Sequence, residues 1–262
     1  MTTSNMNQQD TMTAPDDYGL YEDEDGSGMT LIEHLEELRK RIFKALIAIV
    51  VGAVIAFIFR YQIMQFLQYP LPKGADSLTH GQLVTTGLAE GFTVYLMVSV
   101  AAGFILALPV ILYQTWAFIA PGLYEHEKKY AVPFIFIGIA LFAAGISVGY
   151  IVLRFPVQWL VAFASDSFTE LVTASSYFTF VAFFVLAFGI VFELPLVLTF
   201  LAQIGLITSE TLTKKRPAAH VGMWVAATFL TPGADIYSPV ILGVSMSCLY
   251  ELTVLFIKFT KK

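Results

Sequence analysis

The sequence predicts an all-α membrane protein, a polytopic bundle of six transmembrane helices with both chain ends on the cytoplasmic side. Three observations carry that reading. Of 262 residues, 57% are hydrophobic and only 13% charged, about half the charge a soluble domain uses to cover its surface. The mean hydropathy is +0.72, so lipid is the solvent for most of the chain. The Lys and Arg residues also fall on alternate sides of the successive apolar stretches, which is the pattern that orients a membrane protein.

The apolar stretches define the elements in order. Residues 1–28 hold seven acids (Asp10, Asp16, Asp17, Glu22, Asp23, Glu24, Asp25) and few apolar side chains. They lack the basic and apolar regions of a cleaved signal peptide and read as an acidic disordered tail. Residues 29–262 form the membrane domain. Thr30 and Glu33 fit a capping box. Leu31, Leu35, Leu38 and Ile42 then recur at helical spacing before the helix turns apolar on all sides. The spans are expected at 42–59, 91–113, 130–153, 177–205, 218–230 and 238–257. The fifth covers only ~20 Å at 1.5 Å per residue and is fenced by Pro217 and Pro232. From length alone, spans five and six either cross a thinned bilayer or form a re-entrant hairpin.

Twelve of the 15 Lys and Arg residues lie on one side: Arg39, Lys40, Arg41, Lys44, Lys128, Lys129, Lys214, Lys215, Arg216, Lys258, Lys261 and Lys262. That side is predicted to be cytoplasmic. Arg60, Lys73 and Arg154 lie on the other. The segment after Arg154, with Phe155, Trp159, Leu160 and Phe163 among polar residues, reads as a short amphipathic cap. Pro109, Pro133, Pro195 and Pro239 lie within or at the edges of spans and predict a kinked, concave bundle. Without the tail the chain is slightly basic, and no nucleic-acid partner is expected.

Three features bear on chemistry. Glu193 falls near the middle of the fourth span, where a carboxylate is costly unless it is protonated, hydrated or paired, and Pro195 beside it frees backbone carbonyls one turn earlier. A second group of carboxylates lies on the basic side, in His34-Leu-Glu36-Glu37-Leu-Arg39-Lys40-Arg41 and in Leu123-Tyr-Glu125-His126-Glu127-Lys128-Lys129. The ordinary account of these is helix-end chemistry, with Glu36–Lys40 and Glu37–Arg41 as i,i+4 pairs. The third is Gly145-Ile-Ser147-Val-Gly149, which matches a nucleophile-elbow pattern but lies inside a span, where small residues four apart serve helix packing. His34, His80, His126 and His220 lack metal-ligand spacing. The single cysteine, Cys248, excludes an intramolecular disulfide. No cofactor and no enzymatic activity are expected.

From Met29 onward the chain resembles the TatC family, the large multi-span subunit of the twin-arginine protein translocase. The resemblance rests on five ordered blocks: His34–Arg41, Pro109–Tyr124 with Glu125-His-Glu127, Phe188–Pro195, Lys214-Lys-Arg-Pro217 and Leu230–Asp235. It implies six crossings, with short fifth and sixth helices, in a cytoplasmic (inner) membrane. It implies a receptor for the Arg-Arg signal peptides of folded cargo and transport driven by the proton-motive force. It further implies that Glu37 and Glu127, with Phe118, Arg39 and Glu125, form the signal-binding surface. Glu193 would be the intramembrane contact for the small single-span subunits TatA and TatB, and other copies of the chain are implied partners. Pro239 departs from the pattern, since several relatives carry glutamine there, and no role is transferred to it. The alternatives from the residues alone are a proton-coupled small-solute transporter using Glu193 and, more remotely, a hydrolase using Ser147.

Overall fold

A computed structural model describes residues 31–72, 83–122, 131–165, 172–232 and 235–260. These form α1 (Leu31–Ile58), α2 (Arg60–Gln68), α3 (Glu90–Ile119), α4 (Ala131–Val152), α5 (Arg154–Ser165), α6 (Ala174–Val191), α7 (Leu194–Gln203), α8 (Ser209–Lys214), α9 (Arg216–Leu230) and α10 (Tyr237–Thr260). A short 3-10 turn, Ala120–Gly122, closes α3. Five helical segments are long and apolar enough to cross a membrane: Ile32–Ile58, Glu90–Ile119, Ala131–Phe163, Ala174–Gln203 and Tyr237–Phe259. Helix α9 has 15 residues, roughly 22 Å of rise. The acidic tail and the proposed cap at Thr30 lie outside the described residues.

The core is built around α6. Phe178, Val181, Phe184 and Phe188 recur on it at helical spacing and are fully buried, closed in by α4 on one side and α3 on another. Helix α1 is the opposite case. It packs on α3 but exposes Ile47, Val50, Val51 and Val54, each more than half accessible. A row of exposed β-branched side chains costs free energy in water and none in a lipid acyl phase, so the surface fits the solvent expected from composition.

Two glycine contacts set the helix spacing. Where α1 crosses α3, a Cβ on Gly103 would meet the Ala53 amide nitrogen at 2.4 Å, and one on Gly52 would meet the Gly103 carbonyl oxygen at 2.6 Å. Where α4 crosses α6, Gly145 and Gly149 lie against Phe188, and Gly189 lies against Phe142. The Gly145–Gly149 pair is therefore a packing seam, as its position inside a span predicts. The Ser147 hydroxyl between them donates to the Ala143 carbonyl at 2.8 Å, the local bond a helix offers a serine.

Several expected boundaries shift, each for a local reason. The first apolar helix ends at Ile58 and restarts as α2 after a turn at Phe59. There the Arg60 guanidinium donates to the Phe57 carbonyl at 3.1 Å and lies over the rings of Phe57, Tyr61 and Tyr95. The second helix runs on past Tyr113 to Ile119, and Pro109 is accommodated inside it. The fourth expected span is two helices, broken at Phe192 and Glu193. Pro195 cannot donate to the carbonyl four residues back and instead occupies the first turn of α7, where no such bond is required. Pro217 and Pro239 sit in first turns in the same way. The amphipathic segment after Arg154 is helical, as expected, and forms α5.

The segments joining these helices opposite the basic side are tied together by backbone and side chain. The Val84 amide donates to the Val172 carbonyl at 3.1 Å, and the Ala174 amide to the Val84 carbonyl at 2.8 Å. The Glu90 carboxylate accepts from the Thr86 amide and hydroxyl, from the Gly87 amide and, across to α6, from the Ser175 amide at 3.1 Å. The Tyr150 hydroxyl donates to the Phe66 carbonyl and the Tyr177 hydroxyl to the Leu67 carbonyl, at 2.6 and 2.7 Å.

Candidate functional site

The first turns of α1 lie against the last turns of α3, the two helices running antiparallel. His34 stacks on Phe118 with ring centroids 4.3 Å apart and planes 18° from parallel. Two turns further along α1, Arg41 reaches Gln114, whose side-chain oxygen accepts from Nη1 at 3.2 Å. Glu37 lies between these clasps. Its Oε1 accepts from Arg41 Nε and Nη2 at 3.2 and 2.8 Å. Its Oε2 is buried with no hydrogen-bond partner.

The two i,i+4 pairs expected at this end of α1 both form, and they are unalike. Lys40 and Glu36 meet at 3.1 Å with side chains 67% and 59% exposed, so water screens the pair and it contributes little. The Arg41 and Glu37 side chains are 25% and 14% exposed. A carboxylate withdrawn this far from water, with one oxygen unused, can accept a further donor. Arg39 is exposed and its guanidinium lies 5.9 Å from the Phe43 ring centroid. Glu125 and Glu127 lie outside the described residues. The structure thus brings Glu37 and Phe118 to one end of the α1–α3 pair and leaves Arg39 on its surface.

Glu193 is the second candidate position. It occupies the break between α6 and α7, and both carboxyl oxygens are buried without a hydrogen-bond partner. A Cβ on Gly138 of α4 would lie 3.3 Å from its Oε2 and 2.8 Å from the Leu112 side chain. The carboxyl group therefore rests in an apolar notch made by the helix break and a glycine on the neighbouring helix.

One polar cluster and one polar anchor were not legible beforehand. Glu251 on α10 receives Arg216 Nη2 at 2.9 Å and faces His220 Nε2 at 3.1 Å, while His220 Nδ1 lies 3.1 Å from the Ser247 hydroxyl. Arg216 and His220 are four apart on α9, and Ser247 and Glu251 four apart on α10, so matched helical faces were the available signal. Glu90 is the anchor, and its partners across the chain are visible only once α3 and α6 are side by side.

Five helical segments long and apolar enough to cross a membrane, with an unpartnered carboxyl buried among them, define a multi-span membrane protein. The family model for the Sec-independent protein translocase protein (TatC) matches residues 33–244. A Sec-independent protein translocase protein TatC from Desulforapulum autotrophicum is 39% identical over 225 residues, covering 85% of this chain and 82% of that protein. The protein of that name from Escherichia coli K12 is 37% identical over 234 residues, covering 87% and 88%. A crystal structure of the twin arginine translocase receptor TatC in DDM superposes with a TM-score of 0.75 at 35% identity, over 86% of this chain and 99% of that one. The chain belongs to the TatC family. It is a component of Sec-independent protein translocation and not an enzyme, which sets aside the hydrolase and small-solute transporter alternatives.

Proposed function

We propose that the chain is the receptor subunit that binds consecutive-arginine signal peptides of folded cargo, on a surface formed by Glu37, Glu127, Phe118, Arg39 and Glu125. The observation that supports it most is that Glu37 already holds a guanidinium, that of Arg41, through two hydrogen bonds while its second oxygen has no partner. Arginine is planar, always charged and two-pronged toward carboxylates, whereas lysine offers a point charge. Two fixed glutamates therefore distinguish Arg-Arg from Lys-Lys by geometry as well as charge. The test is peptide affinity for the wild type, Glu37→Gln, Glu127→Gln and the double variant. Each single change is expected to remove a charge-assisted contact of ~1.5–3 kcal/mol, about tenfold or more in affinity. The double variant is expected to lose the Arg-Arg preference, and an intact preference there would place recognition elsewhere.

The same reading has six crossings in a cytoplasmic (inner) membrane, with α9 as the short fifth, a concave bundle, both chain ends in the cytoplasm and residues 1–28 as a solvated acidic tail. Glu193 is the contact for the single-span subunits TatA and TatB, other copies of the chain associate with it, and the proton-motive force drives transport. Topology is tested by cysteine labelling. Cys248 is exposed and is first replaced by serine. A cysteine at Ala234 should then label only from the outer side of that membrane and one at Ala218 only from the cytoplasm. Labelling of both from the cytoplasm would make α9 and α10 a re-entrant hairpin.

A further inference from the structure

We propose that Arg41 is an internal competitor for the signal's guanidinium. It holds the Glu37 carboxylate when no signal is bound, is left on Gln114 when one arrives, and by this competition sets the affinity threshold that an arginine signal clears and a lysine signal does not. The inference rests on the reading of Glu37 as the receptor carboxylate.

The geometry carries it in three parts. All three guanidinium nitrogens of Arg41 are engaged, two on Glu37 Oε1 and the third on Gln114 Oε1. An i,i+4 pair that only supports a helix needs no third partner on another helix, and Glu36–Lys40, one residue earlier, is such a pair. Gln114 is buried, only 9% exposed, so its carbonyl is a fixed acceptor. It is also neutral, and holds a guanidinium less tightly than a carboxylate does. Arg41 therefore stays held by Gln114 when it leaves Glu37. The third part is the unpartnered Oε2, an acceptor that an incoming donor can take up as Arg41 withdraws.

The consequence for selectivity follows from hydrogen-bond geometry. An arriving arginine replaces the two bonds of Arg41 like for like and can add one on the unpartnered Oε2, so the exchange on Glu37 favours it. An arriving lysine brings one compact, strongly hydrated ammonium and cannot reproduce the two-pronged contact. The cost of displacing Arg41 is the same for both ligands, so the weaker lysine contact fails to meet it where the arginine contact succeeds. A glutamate with no internal partner would bind both more tightly, at the same preference, and lysine would then occupy it too.

The experiment titrates fluorescent synthetic signal peptides, one with Arg-Arg and one with Lys-Lys, onto the full-length chain in lipid nanodiscs. Arg41→Gln is expected to tighten Arg-Arg and Lys-Lys binding alike, each about tenfold, the scale of one charge-assisted hydrogen bond, so that affinity rises while the preference is kept. Gln114→Leu removes the alternative acceptor and is expected to weaken Arg-Arg binding. Should Arg41→Gln not fold, Arg41→Lys serves instead. It keeps a cation but cannot span Glu37 and Gln114 together, and both peptides should bind it more tightly than they bind the wild type. Weaker or unchanged binding of both peptides in the Arg41 variant would overturn the proposal, as would effects of the same sign at Arg41 and Gln114, which would indicate a loosened α1–α3 contact. Glu37→Gln is measured alongside. If it leaves binding intact, the receptor reading itself fails. If it weakens binding while the Arg41 variant does not tighten Lys-Lys, only the competitor role fails.

Discussion

Gly103→Ala is expected to unfold the α1–α3 pair at a markedly lower temperature than the wild type and to weaken signal binding with it. The added methyl would lie 2.4, 2.6 and 2.9 Å from the amide nitrogen, Cα and Cβ of Ala53. Two of those three atoms are backbone, so no rotamer change relieves the clash and the helices must separate. Overpacking of this kind costs roughly 1–3 kcal/mol, occasionally more. The effect reaches the site because α1 carries Glu37 and Arg41 while α3 carries Gln114 and Phe118, and a forced separation strains both clasps. Gly222→Ala is the control. A Cβ there meets nothing within 4 Å, and alanine favours a helix over glycine by roughly 0.5–1 kcal/mol. Thermal unfolding in detergent and peptide affinity, measured on both variants, give the comparison. A Gly103→Ala protein as stable as the wild type would mean that the two helices do not cross this closely.

Glu193→Lys and Glu193→Leu are expected to abolish transport while leaving Arg-Arg peptide binding unchanged, and Glu193→Gln is expected to retain most transport. The carboxyl group sits in an apolar notch with both oxygens unpartnered, and a polar group left in that state inside a membrane protein costs several kcal/mol. A single-span subunit presenting a polar side chain would relieve that cost. Glutamine keeps the size and a hydrogen-bonding carbonyl, leucine removes the reason to associate, and lysine places an ammonium against Leu112 and Leu196. Crosslinking to the single-span subunits, transport and peptide binding are measured separately. Normal transport by Glu193→Leu would reduce the residue to a bystander.

Much of this was legible in the residues because it depends on periodicity along one segment. The five long apolar helices, the cap helix at Arg154 and the packing role of Gly145 and Gly149 all follow from local spacing. The unusual position of Glu193 was visible for the same reason, although a continuous span was expected where Pro195 starts a new helix. What sequence did not reveal depends on which helices meet. Arg41 was legible as the i+4 partner of Glu37, but the Gln114 contact comes from a residue 73 positions away. Glu90 resembles any acid at a helix start until its bond to Ser175, 85 positions on, is seen. The partners of His220 are hidden in the sequence because Ser247 and Glu251 belong to another helix. The turn at Phe59 has no proline or glycine to announce it and is held by Arg60 among aromatic rings.

The two tyrosine hydroxyls that cap the end of α2 also impose an order of events on biosynthesis. The Phe66 and Leu67 carbonyls wait for Tyr150 and Tyr177, which lie 84 and 110 residues later in the chain. At about 5–20 residues per second of elongation, the second of these arrives roughly 5–20 seconds after α2 has been made. Through that interval the Leu67 carbonyl is left to water, the Phe66 carbonyl has only the Tyr69 amide at 3.3 Å, and the half-built protein stays open on that side. The α1–α3 hairpin can form early, but the seam against α4 and α6 closes only when the fourth long helix has entered the membrane.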